Sequence, residues 1–259
     1  MNSTLYFTLI QSDLHWENKK ENRNQFQEKI QSISGNKQIV ILPETFNTGF
    51  SMNNALSEPM NSETLQWMTS TSKENRVILC GSFFVQENNQ FFNRLVWMQP
   101  NGQFGFYDKR HLFSFSKENE SYSPGDKKFF AQVNGWKIST IICYDLRFPV
   151  WIRQTQNERY DVLVCIANWP AKRSHAWRTL LQARAIENQC YVVAVNRVGT
   201  DGNGLDYQGN SCVIGPLGEI IFDASNEETI HTLPLDKGYL ESIRSQFQFL
   251  NDADDFAIL

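Results

Sequence analysis

Paired cysteines, basic tracts, long apolar runs and linkers are all missing from this sequence. Its five cysteines, Cys80, Cys143, Cys165, Cys190 and Cys212, include no CxxC pair. An odd number without paired spacing argues against both a disulfide framework and a zinc site. No stretch approaches the roughly 20 apolar residues needed to cross a bilayer. The start, MNSTLYFTLIQSDLHW, has no basic segment followed by a long apolar stretch and a small-residue cleavage site. A cytoplasmic chain with no membrane partner is therefore expected. Basic residues do not cluster with aromatics, and 24 Lys+Arg against 28 Asp+Glu leave a net charge of −4. No nucleic-acid partner is expected either. Low-complexity segments and repeats of solenoid period are also absent. Residues 1–259 are expected to form one domain, with a C-terminal tail from about residue 246.

What is present is material for a core. The chain is 41% hydrophobic and 20% charged, enough to bury a sizeable interior. Its 19 Phe and 7 Trp are packing residues first, and pocket walls only second. Apolar runs at 5–10, 38–42, 77–84, 137–143, 161–168 and 190–195 read as strands, and TIHTLPL as a further one. Polar or amphipathic stretches at about 17–33, 62–76, 174–189 and 235–246 read as helices, two of them opened by Ser62 and Ser174. Another helix is expected from Phe148 to Gln156. NRLVWMQ and FGFYDK flank Asn101-Gly102, and SCVIG and EIIFDA flank Pro216-Leu217-Gly218, as two hairpins. Strands alternating with helices, with hairpins mixed in, imply a layered α/β protein with a mixed sheet or two sheets.

Four of the cysteines lie inside strand-like apolar runs and read as small buried hydrophobes. Cys143 differs, because it ends a strand and opens the turn CYDLRFP. A thiol at such a turn can meet free backbone N–H groups that favour thiolate, and the N–H of Tyr144 can donate to a developing oxyanion. Glu44 and Lys109 also follow apolar runs, in LPETFNTGF and YDKRHLF. A carboxylate among apolar neighbours can serve as a general base, and a partly buried lysine can donate to an oxyanion. His111 and His175 are the candidates for a Cys–His pair instead. Taken singly, each of these residues has a plainer reading as a packed or solvated group.

In this order, LPETFNTGF, YDKRHLF and CYDLRFP resemble the signature of the nitrilase superfamily of carbon–nitrogen hydrolases, from the first strand to about residue 235. YDKRHLF, CYDLRFP and the later ANWP are most similar to its ω-amidase branch, which removes the terminal amide of α-keto acid amides such as 2-oxoglutaramate and 2-oxosuccinamate. The resemblance implies Glu44 as general base, Lys109 as oxyanion donor and Cys143 as nucleophile. It places a second glutamate seven residues before a glycine, which fits Glu118 and Gly125, with Glu120 as the alternative. It implies a four-layer α-β-β-α sandwich, no metal and no organic cofactor. A homodimer is also implied, formed through the helix at 174–189 and the segment after Cys143, with the tail crossing to the partner. A substrate carboxylate would need a cation, for which Arg147, Arg173 and Lys172 are candidates. Phe46, Phe50 and Trp169 are candidate pocket walls. The rival reactions are those of an N-carbamoyl amino acid hydrolase or a nitrilase, and the rival outside enzymes is a binding module.

Overall fold

Side-chain alternation along three neighbouring strands decides the architecture. The computed structural model describes residues 4–258. In it, β1 (Thr4–Gln11) is followed by the helix α1 (Lys19–Gln31) and the buried strand β2 (Ile39–Ile41). Next come α2 (Glu63–Asn75), β3 (Ile78–Glu87), β4 (Gln90–Met98) and β5 (Phe104–Asp108). Ile39, Ile41, Cys80, Leu95 and Trp97 enter one core, while Val40, Leu42, Leu79, Val96 and Met98 enter another. Successive residues of a strand point to opposite faces, so this sheet must be covered on both sides. Phe26 and Ile30 of α1 and Leu65 and Met68 of α2 cover one side. Asn18 caps α1 by accepting from Glu21 N, and Ser62 caps α2 by accepting from Leu65 N.

A second sheet covers the other side. After the single turn α3 (Glu118–Ser121) come β6 (Phe130–Val133), β7 (Trp136–Ile142) and the single turn α4 (Pro149–Ile152). β8 (Val162–Ala167), α5 (Ser174–Asn188) and β9 (Tyr191–Asn196) follow. The chain then forms β10 (Val198–Thr200), β11 (Asp206–Gln208), β12 (Cys212–Ile214), β13 (Ile220–Asp223), β14 (Thr229–Asp236) and α6 (Lys237–Gln246). The first sheet has the order β14-β1-β2-β3-β4-β5 and the second β13-β12-β9-β8-β7-β6. Each has parallel strands at its centre, β1-β2-β3 and β7-β8-β9, and antiparallel strands at its edges. Trp177, Leu181 and Ala185 seal α5 onto the second sheet. The result is the expected α-β-β-α layering. Among the described residues no helix is long and apolar enough to cross a membrane.

Several local expectations are corrected. The helix expected at Phe148–Gln156 is one turn, Pro149–Ile152. Asn188 Oδ1 accepts from Gln154 N at 2.9 Å, which removes the donor the next helical bond needs. Ser174 does not cap α5; it lies inside the first turn and donates its hydroxyl to Ala171 O at 2.7 Å. The strand at 77–84 runs on to Glu87 and turns back through Asn88 and Asn89, both with positive φ (51° and 60°). That geometry is typical of a two-residue hairpin turn. β6, β10 and β11 had no distinct apolar run in the sequence.

Phe46 is also corrected. It is no pocket wall but a fully buried residue of the helix-side core, 5.7 Å from the Phe26 ring and 5.5 Å from that of Trp67. A methyl group on Gly81 would lie 2.9 Å from its Cδ1, so glycine is what lets the ring sit over β3. Phe46→Ala is expected to cost about 3–5 kcal/mol, read as a lower denaturation midpoint. A rise in KM without loss of stability would show instead that Phe46 touches the substrate.

Candidate active site

Strand ends deliver the reactive groups to one place. Glu44 lies three residues past β2, and Lys109, Cys143 and Asn168 directly follow β5, β7 and β8. Lys109 Nζ is 2.9 Å from Glu44 Oε1 and 3.0 Å from both oxygens of Glu118. All three side chains are at most 1% exposed. Burying such charges is tolerable only with close partners and further hydrogen bonds. Those bonds are present. Asn93 Nδ2 donates to Glu44 Oε1 at 2.8 Å and Asn168 N to Glu44 Oε2 at 2.7 Å. Phe113 N donates to Glu118 Oε2 at 2.6 Å. Glu120, by contrast, is exposed and faces Lys117.

The backbone is strained beside two of these groups. Thr45 and Cys143 have φ of 44° and 45°, in the left-handed region that L-residues avoid. Each such residue costs on the order of 1–3 kcal/mol and persists only where its surroundings over-determine it. Thr45 is held by Ser82 Oγ accepting its N–H at 2.8 Å and by Asn168 Nδ2 donating to its hydroxyl at 3.1 Å. Cys143 opens a 3-10 turn, Cys143–Arg147, at whose start the N–H of Tyr144 is one of the donors without an intrahelical partner.

Burial tends to lower the Lys109 pKa, but Glu118 and then Glu44 outweigh it and hold the group above the ordinary lysine value, as ammonium. Burial, with Glu44 adding, pushes the Glu118 carboxyl up against the opposing pull of Lys109. Burial and then Glu44 push the Cys143 thiol well up, again opposed by Lys109. The thiolate expected at this turn is therefore not the resting form. A five-residue 3-10 turn offers little dipole, and the nearby carboxylate opposes a second negative charge. The thiol faces Asn168 O, 3.9 Å away.

These groups open on a cavity of about 300 Å³. Lys109, Cys143, Tyr144, Arg147, Trp169 and Arg173 line it, as does Phe50. The Arg147 guanidinium lies 4.8 Å from the Trp169 ring centre and that of Arg173 5.1 Å from the Phe113 ring centre. Among the described residues neither has a carboxylate partner. Lys172 and His175 are exposed and lie outside the lining. His111 is stacked on Phe148, with ring centres 3.8 Å apart, and its Nδ1 is 2.8 Å from Asp145 Oδ1. Sequence reasoning missed Asn168, Phe113 and the β10–β11 hairpin, which brings Asp201, Asn203, Leu205 and Tyr207 to the cavity wall. ANWP marked the first as part of a motif, but nothing in TDGNGLDY announced the last. Among the described residues no group of three or more His, Cys, Asp or Glu side chains is arranged to hold a metal.

The carbon-nitrogen hydrolase family model matches residues 8–245. The chain belongs to that family. It is 40% identical over 255 residues to the omega-amidase YafV of Escherichia coli K12, covering 98% of both chains. It is 32% identical over 247 residues to the 2-oxoglutaramate amidase of Bacillus subtilis 168, covering 94% of this chain and 95% of that one. A CN-hydrolase superfamily protein of Xanthomonas campestris, solved with an arsenic adduct in its active site, superposes with a TM-score of 0.96 at 38% identity. That match covers 98% of this chain and 99% of the other. For this carbon–nitrogen hydrolase the raised thiol pKa has a direct consequence, since a raised pKa favours the protonated form. Titration of the free enzyme from about pH 6 to 9 is expected to show no ultraviolet thiolate step that disappears in Cys143→Ala. Such a step near neutrality would mean that the resting nucleophile is already ionised.

Proposed function

We propose that this hydrolase removes the terminal amide of small α-keto acid amides, such as 2-oxoglutaramate and 2-oxosuccinamate, releasing ammonia and the acid. The observation that carries the reading is two guanidiniums without carboxylate partners in the same cavity as Cys143 and Lys109. A small amide that also bears a carboxylate fits that combination. The likeness to an omega-amidase and to a 2-oxoglutaramate amidase supports it.

In this mechanism Glu44 takes the proton of Cys143 as Sγ attacks the amide carbonyl carbon. Lys109 Nζ and the Tyr144 N–H receive the oxyanion. The C–N bond breaks, the nitrogen leaves as ammonia with the proton from Glu44, and the acyl group stays on Sγ as a thioester. Water then gives a proton to Glu44 and its oxygen to the carbonyl carbon, releasing the acid and restoring the thiol. Glu118 holds Lys109 in place throughout. Trp169 and Phe50 wall the cavity, and Arg147 and Arg173 hold the substrate carboxylate.

Ammonia release from 2-oxoglutaramate is expected in the wild type and absent in Cys143→Ala. Carbon dioxide formed with ammonia from a carbamoyl compound, or turnover of a nitrile, with neither keto acid amide consumed, would move the substrate class and leave the thioester chemistry. Arg147→Leu or Arg173→Leu is expected to raise KM about 10–100-fold with a smaller change in kcat, the loss of one charge-assisted hydrogen bond. An unchanged KM in both would remove the carboxylate role. We also take the protein to be a single-domain cytoplasmic homodimer. Five free thiols suit a reducing compartment, and Val150 on α4 and Ile186 on α5 leave apolar area exposed for a second copy. Light scattering giving a monomer mass would exclude the dimer.

A further inference from the structure

We infer that Asp145 is a positioning residue that sets the distance between the Cys143 thiol and the Lys109 ammonium, with His111 as its clamp. Asp145 is fully buried two residues past Cys143. Its Oδ2 accepts from Ile142 N at 3.0 Å and from the Tyr107 hydroxyl at 2.8 Å. Its Oδ1 accepts from His111 N and is paired with His111 Nδ1, both at 2.8 Å. A carboxylate only accepts, so His111 Nδ1 carries its hydrogen here. Burial and the neighbouring Asp145 keep the Tyr107 phenol protonated, as a donor.

The origin of these donors is what points beyond simple satisfaction of a buried acid. Ile142 immediately precedes Cys143. Tyr107 and His111 stand two residues on either side of Lys109. One carboxylate therefore bridges the end of β7 in the second sheet and the end of β5 in the first. These are the two chain ends whose side chains must converge on one carbonyl group. The thiol's hydrogen-bond partner is Asn168 O and not His111, and the Phe148 ring stacked on His111 fixes the plane in which Nδ1 donates. A displacement of about 1 Å between nucleophile and oxyanion donor is enough to slow acylation by about 100-fold.

The inference rests on Cys143 as nucleophile and Lys109 as oxyanion donor, but not on which amide is the substrate. Asp145→Ala would strand buried donors and risk unfolding, so the test uses His111→Leu, His111→Asn and Tyr107→Phe. Two probes of the thiol are compared. Acylation by p-nitrophenyl acetate forms a bond from Sγ to the carbonyl carbon, expels p-nitrophenolate and passes the thiol proton to Glu44, so it needs an oxyanion donor. Alkylation by iodoacetamide forms a bond from Sγ to carbon, expels iodide and passes the same proton to Glu44, without any oxyanion. The other four cysteines are buried, so the part of each rate that Cys143→Ala removes reports on Cys143.

In His111→Leu and Tyr107→Phe the acylation rate is expected to fall about 10–100-fold while alkylation stays within about twofold. His111→Asn, which returns a side-chain donor near Nδ1, is expected to recover most of the loss. Equal slowing of both reactions, no slowing of acylation, or no recovery in His111→Asn would overturn the positioning role. Cys143→Ala that reacts with both probes as fast as the wild type would overturn the site assignment, and the inference with it.

Discussion

One buried ammonium held between two carboxylates organises the site. Each of Lys109, Glu44 and Glu118 would be costly to remove from water alone, and only their mutual contacts at 2.9 and 3.0 Å make the interior acceptable. Three separate stretches of chain must therefore meet for any of the three charges to be buried. Burial, and then Glu44, push the neighbouring Cys143 thiol up, which favours its protonated form. A protonated thiol is little exposed to adventitious oxidants, because the thiolate is the reactive form.

The two sheets supply the geometry that this charge cluster needs. Parallel strands at the centre of each sheet place their carboxyl ends on one edge, where ligands gather in α/β proteins. β2 and β5 bring the base and the lysine from one sheet, and β7 and β8 bring Cys143 and Asn168 from the other. Asn168 joins the halves directly. Its N–H and side chain bind Glu44, and its carbonyl faces the thiol. Of the two strained residues beside this junction, Thr45 is held by Asn168 as well, whose Nδ2 donates to its hydroxyl at 3.1 Å.

Much of the fold was legible in the sequence because most strands are continuous apolar runs and most helices are amphipathic. QIVIL, KISTII and DVLVCIAN could hardly be anything but buried strands. The hairpin at Asn101-Gly102 announced itself through its turn residues, and Gly102 takes positive φ there. The short strands Val198–Thr200 and Asp206–Gln208 had no such signal, because polar loop residues form them and only their pairing makes them strands. The expected helix after Phe148 failed for a tertiary reason, the capture of the Gln154 N–H by Asn188. Phe46, a candidate pocket wall in the sequence, lies two residues past Glu44 but not beside it in the cavity. The left-handed turn at Thr45 instead carries it over Gly81 into the helix-side core.

The sequence by itself determined the layered α/β class, the order of the motifs and the resemblance that singled out Cys143, Glu44 and Lys109. These are local or linear properties, set by periodicity and by residue type at fixed spacing. Only the tertiary structure decided that Glu118 rather than Glu120 lies against Lys109, that Arg147 and Arg173 face the cavity without ion partners, and that His111 serves Asp145. It alone showed that burial and Glu44 push the Cys143 thiol up. Each of those outcomes depends on burial and on distances between groups from different strands, and neither quantity is written in the order of the residues.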